Sequence, residues 1–199
     1  MPSTSLSTEP ELDKPGAGLP FVELAVAKYI MFPMLRNLTS KEKAIDVFAE
    51  ETERIIALIA ELKPDLLTER RLIPRLKGLE DSSRYWSVAM TIEHLVIVGG
   101  GIAQVIVDLS KNGGSKRPPR GTADVKPNPD VDAQKIINKF KQMSDAFIAE
   151  MKPLNVGAFP SATFLHPWFG QLNAHSWLTL AGMHQRIHRK QIEKIISLL

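Results

Sequence analysis

His184 and His188 stand four residues apart in the stretch AGMHQRIHRKQIEKI, a spacing that on an α-helix puts both imidazoles on one face about 6 Å apart along the axis. Two imidazoles so placed can share one metal ion, since ring nitrogens suit zinc, nickel and iron alike. Spacing alone is weak ground, because five histidines in 199 residues give about a one-in-ten chance that some pair falls four apart. The face they occupy says more. On a helical wheel His184 and His188 align with Trp177, Leu180, Ala181, Gln191 and Ile195, while Arg186, Arg189, Lys190 and Glu193 fall on the opposite, solvent-facing side. Two histidines in a buried stripe need partners, because an unpaired buried polar group costs about 1–3 kcal/mol. A shared metal ion would satisfy both.

His94 lies on a comparable face with Met90, Val98, Ile102 and Val105. Alone it reads equally as a core histidine hydrogen-bonded to a carbonyl; with the pair, it supplies a third imidazole. Three neutral imidazoles leave a coordination position open, the arrangement of a catalytic metal site. His166, in LHPWFGQL, is a candidate pocket residue or proton carrier, with positioning of its own turn as the structural alternative. His175 points away from His184 and is expected at the surface. Gln191 shares the face of the pair and can orient a ligand or pack between helices; Trp86 and Trp177 read as core anchors that border the site. Glu93 projects about 100° from His94, so it is read as a partner for a basic residue rather than a general base. The chain has no cysteine, so any thiol in its chemistry must arrive on a bound molecule.

Helices must position these residues. Residues 1–18, rich in Ser, Thr, Pro and Glu, are expected as a flexible tail ahead of a single domain spanning 19–199. Between Leu19 and Leu35 the chain is either a short helix or a packed extended segment, interrupted at Pro33. The first long helix is expected from a Thr39–Glu42 capping box to about Lys63, with Ile45, Phe48, Ile55, Ile59 and Leu62 facing the core and Glu50, Glu51, Glu53 and Glu61 mainly on other faces. The second starts after Ser87, is apolar almost all round, and ends at Asn112–Gly114; Gly99, Gly100 and Gly101 within it suggest close approach of a neighbouring backbone. A basic Pro- and Gly-rich segment from Gly113 to Asn128 is expected to cross the bundle or form a flap. The third helix is expected to start at Asn128–Pro129 and end near Pro153, and the fourth to be capped by Asn173. No strand alternation persists. The expected fold is all-α, a four-helix up-and-down bundle with long crossover connections.

The net charge is +3, and the basic residues are dispersed apart from Lys116, Arg117 and Arg120, which argues against nucleic acid as a partner. The N-terminal segment does not read as a secretory signal, and the apolar run Leu95–Ala103 falls short of the roughly 20 residues that span a bilayer. A cytoplasmic protein without a membrane partner is expected.

Two blocks resemble the DinB-like family, also called YfiT-like metal-dependent hydrolases and including thiol-dependent transferases. One is Trp86-Ser87 leading to Glu93-His94-Leu95. The other, HPWFGQLNAHSWLTLAGMHQRIHRKQIEKI, has the family's histidine-proline turn, helix-start tryptophan and H-x-x-x-H followed by glutamine. The resemblance implies a four-helix bundle, often a homodimer, with a divalent ion on His94, His184 and His188. It further implies an enzyme that uses the ion to activate a low-molecular-weight thiol for transfer to, or isomerisation of, a small electrophilic substrate. A hydrolase using activated water, or a metal-containing binding or stress-response module without turnover, are the alternatives.

Overall fold

The computed structural model describes residues 9–199. The chain enters through a helical stretch in three parts, α1 (Phe21–Val26), a π-helical turn at Ala27–Met31, and α2 (Phe32–Leu38). Pro33 does not end it. The wider π turn, in which the Phe32 amide reaches back to the Ala27 carbonyl, precedes Pro33, and α2 starts with the proline in its first turn, where a missing amide is tolerated. This stretch leaves an apolar face in water: Phe21 is 84% and Leu38 78% exposed, and Tyr29, Ile30 and Met34 are also exposed.

Four long helices follow: α3 (Lys41–Ala60), α4 (Val88–Asn112), α5 (Ala133–Met151) and α6 (Ala174–Ile196). Local chemistry sets where each begins. Ser87 Oγ accepts the Met90 amide at 3.1 Å and Asn173 Oδ1 the Ser176 amide at 3.0 Å, as the sequence suggests. Two starts differ from expectation. Ser40, rather than Thr39, caps α3 by accepting the Lys43 amide, while the Thr39 hydroxyl turns back to the Leu35 carbonyl at 2.7 Å. Asp132 caps α5 through the Lys135 amide at 3.0 Å, and Asn128 instead holds the preceding turn by accepting the Asp130 amide. Gly113, left-handed at φ 65°, closes α4.

In the bundle α6 packs on α3 and α4, α4 packs also on α5, and α5 closes against α3. Consecutive long helices α3 and α4, and α5 and α6, are therefore not principal neighbours. Two apolar clusters fill the interior. One holds Phe48, Ile106, Phe147 and Leu178; the other holds Ile55, Ile92, Phe140 and Ile192. α4 is long and apolar enough to cross a membrane by length and composition alone, but 56% of its most apolar window is buried in the protein.

The glycines of α4 behave differently from expectation. Gly99 faces the Met143 side chain, and among the described residues a Cβ at Gly100 or Gly101 would meet nothing within 4 Å. No described backbone needs the space of these three; Gly100 and Gly101 border a cavity. Close helix approach occurs instead at Gly182 of α6, where a Cβ would lie 2.9 Å from Val47 Cγ1 and 3.4 Å from the Phe48 backbone nitrogen.

The connections carry two small antiparallel pairings, β1 (Arg71–Leu72) with β2 (Tyr85–Trp86) and β3 (Phe164–His166) with β4 (Gly170–Leu172). Part of the expected 1–18 tail, residues 1–8, lies outside the described residues. Further on, the backbone is tied to the domain: the Asp13 amide donates to Asp81, and the Gly16 and Gly18 amides donate to the buried Glu80 carboxylate at 3.3 and 3.1 Å.

Glu51, expected mainly off the core face of α3, is fully buried. Its carboxylate takes Arg186 Nε at 2.9 Å and Arg189 Nε at 2.5 Å, so α6 is pinned to α3 by ions. Arg189, expected in solvent, keeps only 13% of its side chain exposed.

Candidate metal centre

α4 contributes His94 and α6 contributes His184 and His188, and one ring nitrogen from each lies within 4.8 Å of the others. The hydrogen-bond partners decide which nitrogens face inward. His94 Nδ1 lies 2.8 Å from the Val125 carbonyl, an acceptor only, so Nδ1 carries the proton and Nε2 keeps its lone pair. For His188 the logic runs through Gln191. The Gln191 amide nitrogen donates to the Ser83 carbonyl at 2.7 Å, which fixes the flip of the amide, and its Oε1 then accepts from His188 Nδ1 at 2.7 Å. His188 also presents a bare Nε2. His184 Nε2 sits 3.2 Å from His94 Nε2.

Electrostatics keep the cluster uncharged. Burial pulls the His94 pKa down to about 4. His184 and His188 fall well below the ordinary 6.5, through burial first and then through neighbouring imidazoles. Neutral imidazole is the form that donates to a metal. The spacing also suits an ion: nitrogens about 2.0–2.1 Å from a tetrahedral centre stand about 3.3 Å from each other, close to the His94–His184 separation of 3.2 Å. The donor set therefore fits a divalent metal ion with imidazole ligands.

Trp86, placed by its pairing with Arg71, forms one wall: its ring stacks on His188 at 6.2 Å and 8° and tilts against His94 at 5.2 Å. Trp177 lies against His166 at 5.3 Å between ring centroids. His166 ends β3, where its Nδ1 accepts the Trp168 and Phe169 amides of the following turn at 3.1 and 3.3 Å. The proton is thereby placed on Nε2, and burial lowers the pKa to about 4. Carrying a second proton would require breaking both turn bonds, so the geometry suits His166 as a fixed hydrogen-bond donor. Glu93 accepts the Asn128 backbone amide at 2.5 Å and anchors the end of the flap rather than a basic side chain. His175 is half-buried, with Nε2 3.3 Å from the Arg36 carbonyl, not free at the surface.

The cluster opens into a cavity of about 980 Å³, at the upper end of the roughly 300–1,000 Å³ of small-molecule sites. The 117–126 segment, the β3–β4 turn and α1 line it together with α4 and α6. Three contributors to the site escape sequence reasoning. The Val125 and Ser83 carbonyls orient two imidazoles, but a backbone acceptor leaves no mark in residue identity. Glu80 receives the Gly16 and Gly18 amides and the Thr122 hydroxyl, and so holds the flap to the entering chain; nothing in its spacing announces this.

Gln191→Leu removes the acceptor for His188 Nδ1–H at nearly constant volume. Isothermal titration with zinc is expected to show metal affinity about 10–100-fold weaker, the usual effect of losing the group that orients a ligating histidine.

A sequence profile described as the DinB superfamily matches residues 48–192. Among solved structures, the chain is similar to a crystal structure of TT2238, a four-helix bundle protein, at 22% identity and a TM-score of 0.55, with 77% of this chain and 98% of that chain covered. No curated protein matches the sequence.

Proposed function

The chain belongs to the DinB superfamily, and from that premise we propose that it is a metal-dependent enzyme that joins a low-molecular-weight thiol to a small electrophile, or isomerises a substrate with the thiol's help. One observation carries this reading: three imidazoles from two helices, all held neutral, converge within 4.8 Å on the wall of a large cavity. Zinc, nickel or iron held by His94, His184 and His188 would supply Lewis-acid chemistry, lowering the pKa of whatever thiol or water occupies the open position.

The protein's own residues account for the rest. The Val125 carbonyl and the Gln191–Ser83 chain fix two imidazoles in one tautomer and one direction, so little reorganisation is needed when a ligand arrives. Trp86, Phe169, Leu180 and Met183 give the cavity apolar walls, which exclude water and favour a soft thiolate over competing hydroxide. His166 Nε2–H offers one oriented donor to a substrate oxygen. Because the chain lacks cysteine, the nucleophilic sulfur belongs to the co-substrate.

Metal-loaded protein incubated with a panel of alkyl halides, epoxides and α,β-unsaturated acids is expected to consume an electrophile only when glutathione or another small thiol is present. Thiol-independent consumption assigns the site to hydrolysis, and no consumption across the panel assigns the protein to a binding role.

The same reading includes a homodimer formed through the exposed apolar face of α1 and α2, a patch larger than isolated surface hydrophobes explain. Sedimentation velocity is expected to give a two-chain mass that Phe21→Glu with Leu38→Glu reduces to one; a monomeric wild type rejects the dimer.

A further inference from the structure

The cavity surrounding the histidine cluster is apolar inside and cationic at its edge. Leu19, Val26, Phe32, Ile102, Trp168 and Leu180 line it, and Gly100 and Gly101 leave a helix face without side chains on that surface. Five cations also line it. Arg117 is engaged with Asp108 at 3.1 Å. The other four, Lys77, Arg120, Lys126 and Lys190, are solvent-exposed and so lie towards its open edge; among the described residues none of them has a carboxylate within 4.0 Å. The two acids of the lining balance only part of this charge: one is engaged by a cation outside the lining, and the other, Glu80, acts on Lys126 but leaves an excess of positive charge. Glu23 is paired with Arg75 at 2.5 Å and accepts the Gly78 amide at 2.6 Å, and Glu80 is buried under donors from Gly16, Gly18, Ser82 and Thr122.

We propose that this cavity binds an organic anion with a sizeable apolar body, the body running along the Gly100–Gly101 face and the anionic group held by Arg120 and Lys126 of the flap with Lys77 and Lys190. As the substrate class, this deepens the enzymatic reading above and rests on it; as a binding site, it stands without it. The volume of about 980 Å³ exceeds what a two- or three-carbon substrate fills, and an apolar body is what those walls recognise. The unpaired cations add charge selectivity, worth most at low ionic strength. The two glycines, which weaken a helix interior, acquire a purpose as the floor on which the body lies.

All three tryptophans line the cavity, so their emission reports occupancy. Full-length protein, metal-loaded and metal-stripped, is titrated at low salt with decanoate, decan-1-ol, acetate and glutathione, with metal content measured on the same samples. Decanoate is expected to saturate in both forms with affinity about tenfold above decan-1-ol, the order expected of a few partly screened charges. Acetate in both forms, and glutathione in the metal-stripped form, are expected to give no saturable change in the same range. Arg120→Ala with Lys126→Ala is expected to erase most of the advantage of decanoate while leaving decan-1-ol binding unchanged, and Gly101→Leu to weaken both. Equal binding of acid and alcohol, preference for glutathione in the metal-stripped form, decanoate binding only in the metal-loaded form, or a decanoate response indifferent to Gly101→Leu each overturns the proposal. A protein that binds decanoate but no metal leaves this site intact and rejects the metal reading; the converse rejects this site alone.

Discussion

Purified His188→Ala protein is expected to retain less than about 0.1 equivalents of divalent metal under conditions where the wild type retains about one, and to lose thiol-dependent turnover altogether. His188 is held on two sides. It is buried against the Trp86 ring and fixed through Gln191 to the Ser83 carbonyl. Its removal leaves two donors, and two imidazoles alone do not make the three-ligand platform of a catalytic site. The loss in affinity should exceed the 10–100-fold expected for Gln191→Leu, which disturbs only the orientation of the same ring. His175→Ala provides the control: that ring faces the Arg36 carbonyl, and its removal should leave metal content unchanged. Far-UV circular dichroism separates metal loss from unfolding. A His188→Ala protein that keeps a full equivalent assigns the metal to other residues.

Glu51→Ala is expected to lower stability by about 2–3 kcal/mol, less than the roughly 3–5 kcal/mol of breaking a fully buried ion pair. In a protein of this size that corresponds to a melting temperature lower by about 4–12 °C. The reason lies in what is left behind: Arg189, mostly buried but still paired with Glu193, and the half-exposed Arg186 both direct their Nε at the Glu51 carboxylate. Burial by itself would raise the Glu51 pKa, but the hydrogen bonds and charges of Arg189 and Arg186 outweigh it and hold the carboxyl below its ordinary 4.5. A depressed carboxyl contributes stability that is fully present above the unfolded value, near 4.5, and is lost as pH falls through the lower folded value. Wild-type protein should therefore lose stability on acidification below that point more steeply than Glu51→Gln. Parallel pH profiles of melting temperature for the two proteins would remove Glu51 from this role. The same ions bear on the site, because Arg186 and Arg189 flank His188 on α6 and fix the helix that carries two of the three imidazoles.

Much of this arrangement is legible in residue patterns. Ser87 and Asn173 mark the starts of α4 and α6 because each is a strong cap directly before an apolar run, and the wheel places His94, His184 and His188 on faces that the fold turns toward one another. Where the reading slips, a local competition decides. Thr39 and Ser40 are adjacent cap candidates, and α2, invisible to a reading that stops at Pro33, uses the Thr39 hydroxyl for its own last turn. Asn128–Pro129 has the chemistry of a helix start, yet Asp132 lies closer to the first residues that pack. Gly99–Gly101 shows the limit of periodicity: a helix apolar all round is expected among neighbours, and nothing in its sequence separates a face against another helix from one against a cavity. Glu51 carried a signal that was open to reading, since it falls three residues after Phe48 and four before Ile55 in the buried stripe of α3, where an acid demands a cation. The carbonyls of Val125 and Ser83 carried none.

Element analysis of protein purified without added metal or chelator decides whether the three imidazoles hold an ion. About one equivalent of a divalent transition metal per chain is expected, abolished when His94, His184 and His188 are all replaced by alanine, as preformed sites of high affinity require. Less than about 0.2 equivalents in the wild type, or an equivalent that survives the triple replacement, contradicts a three-imidazole metal site.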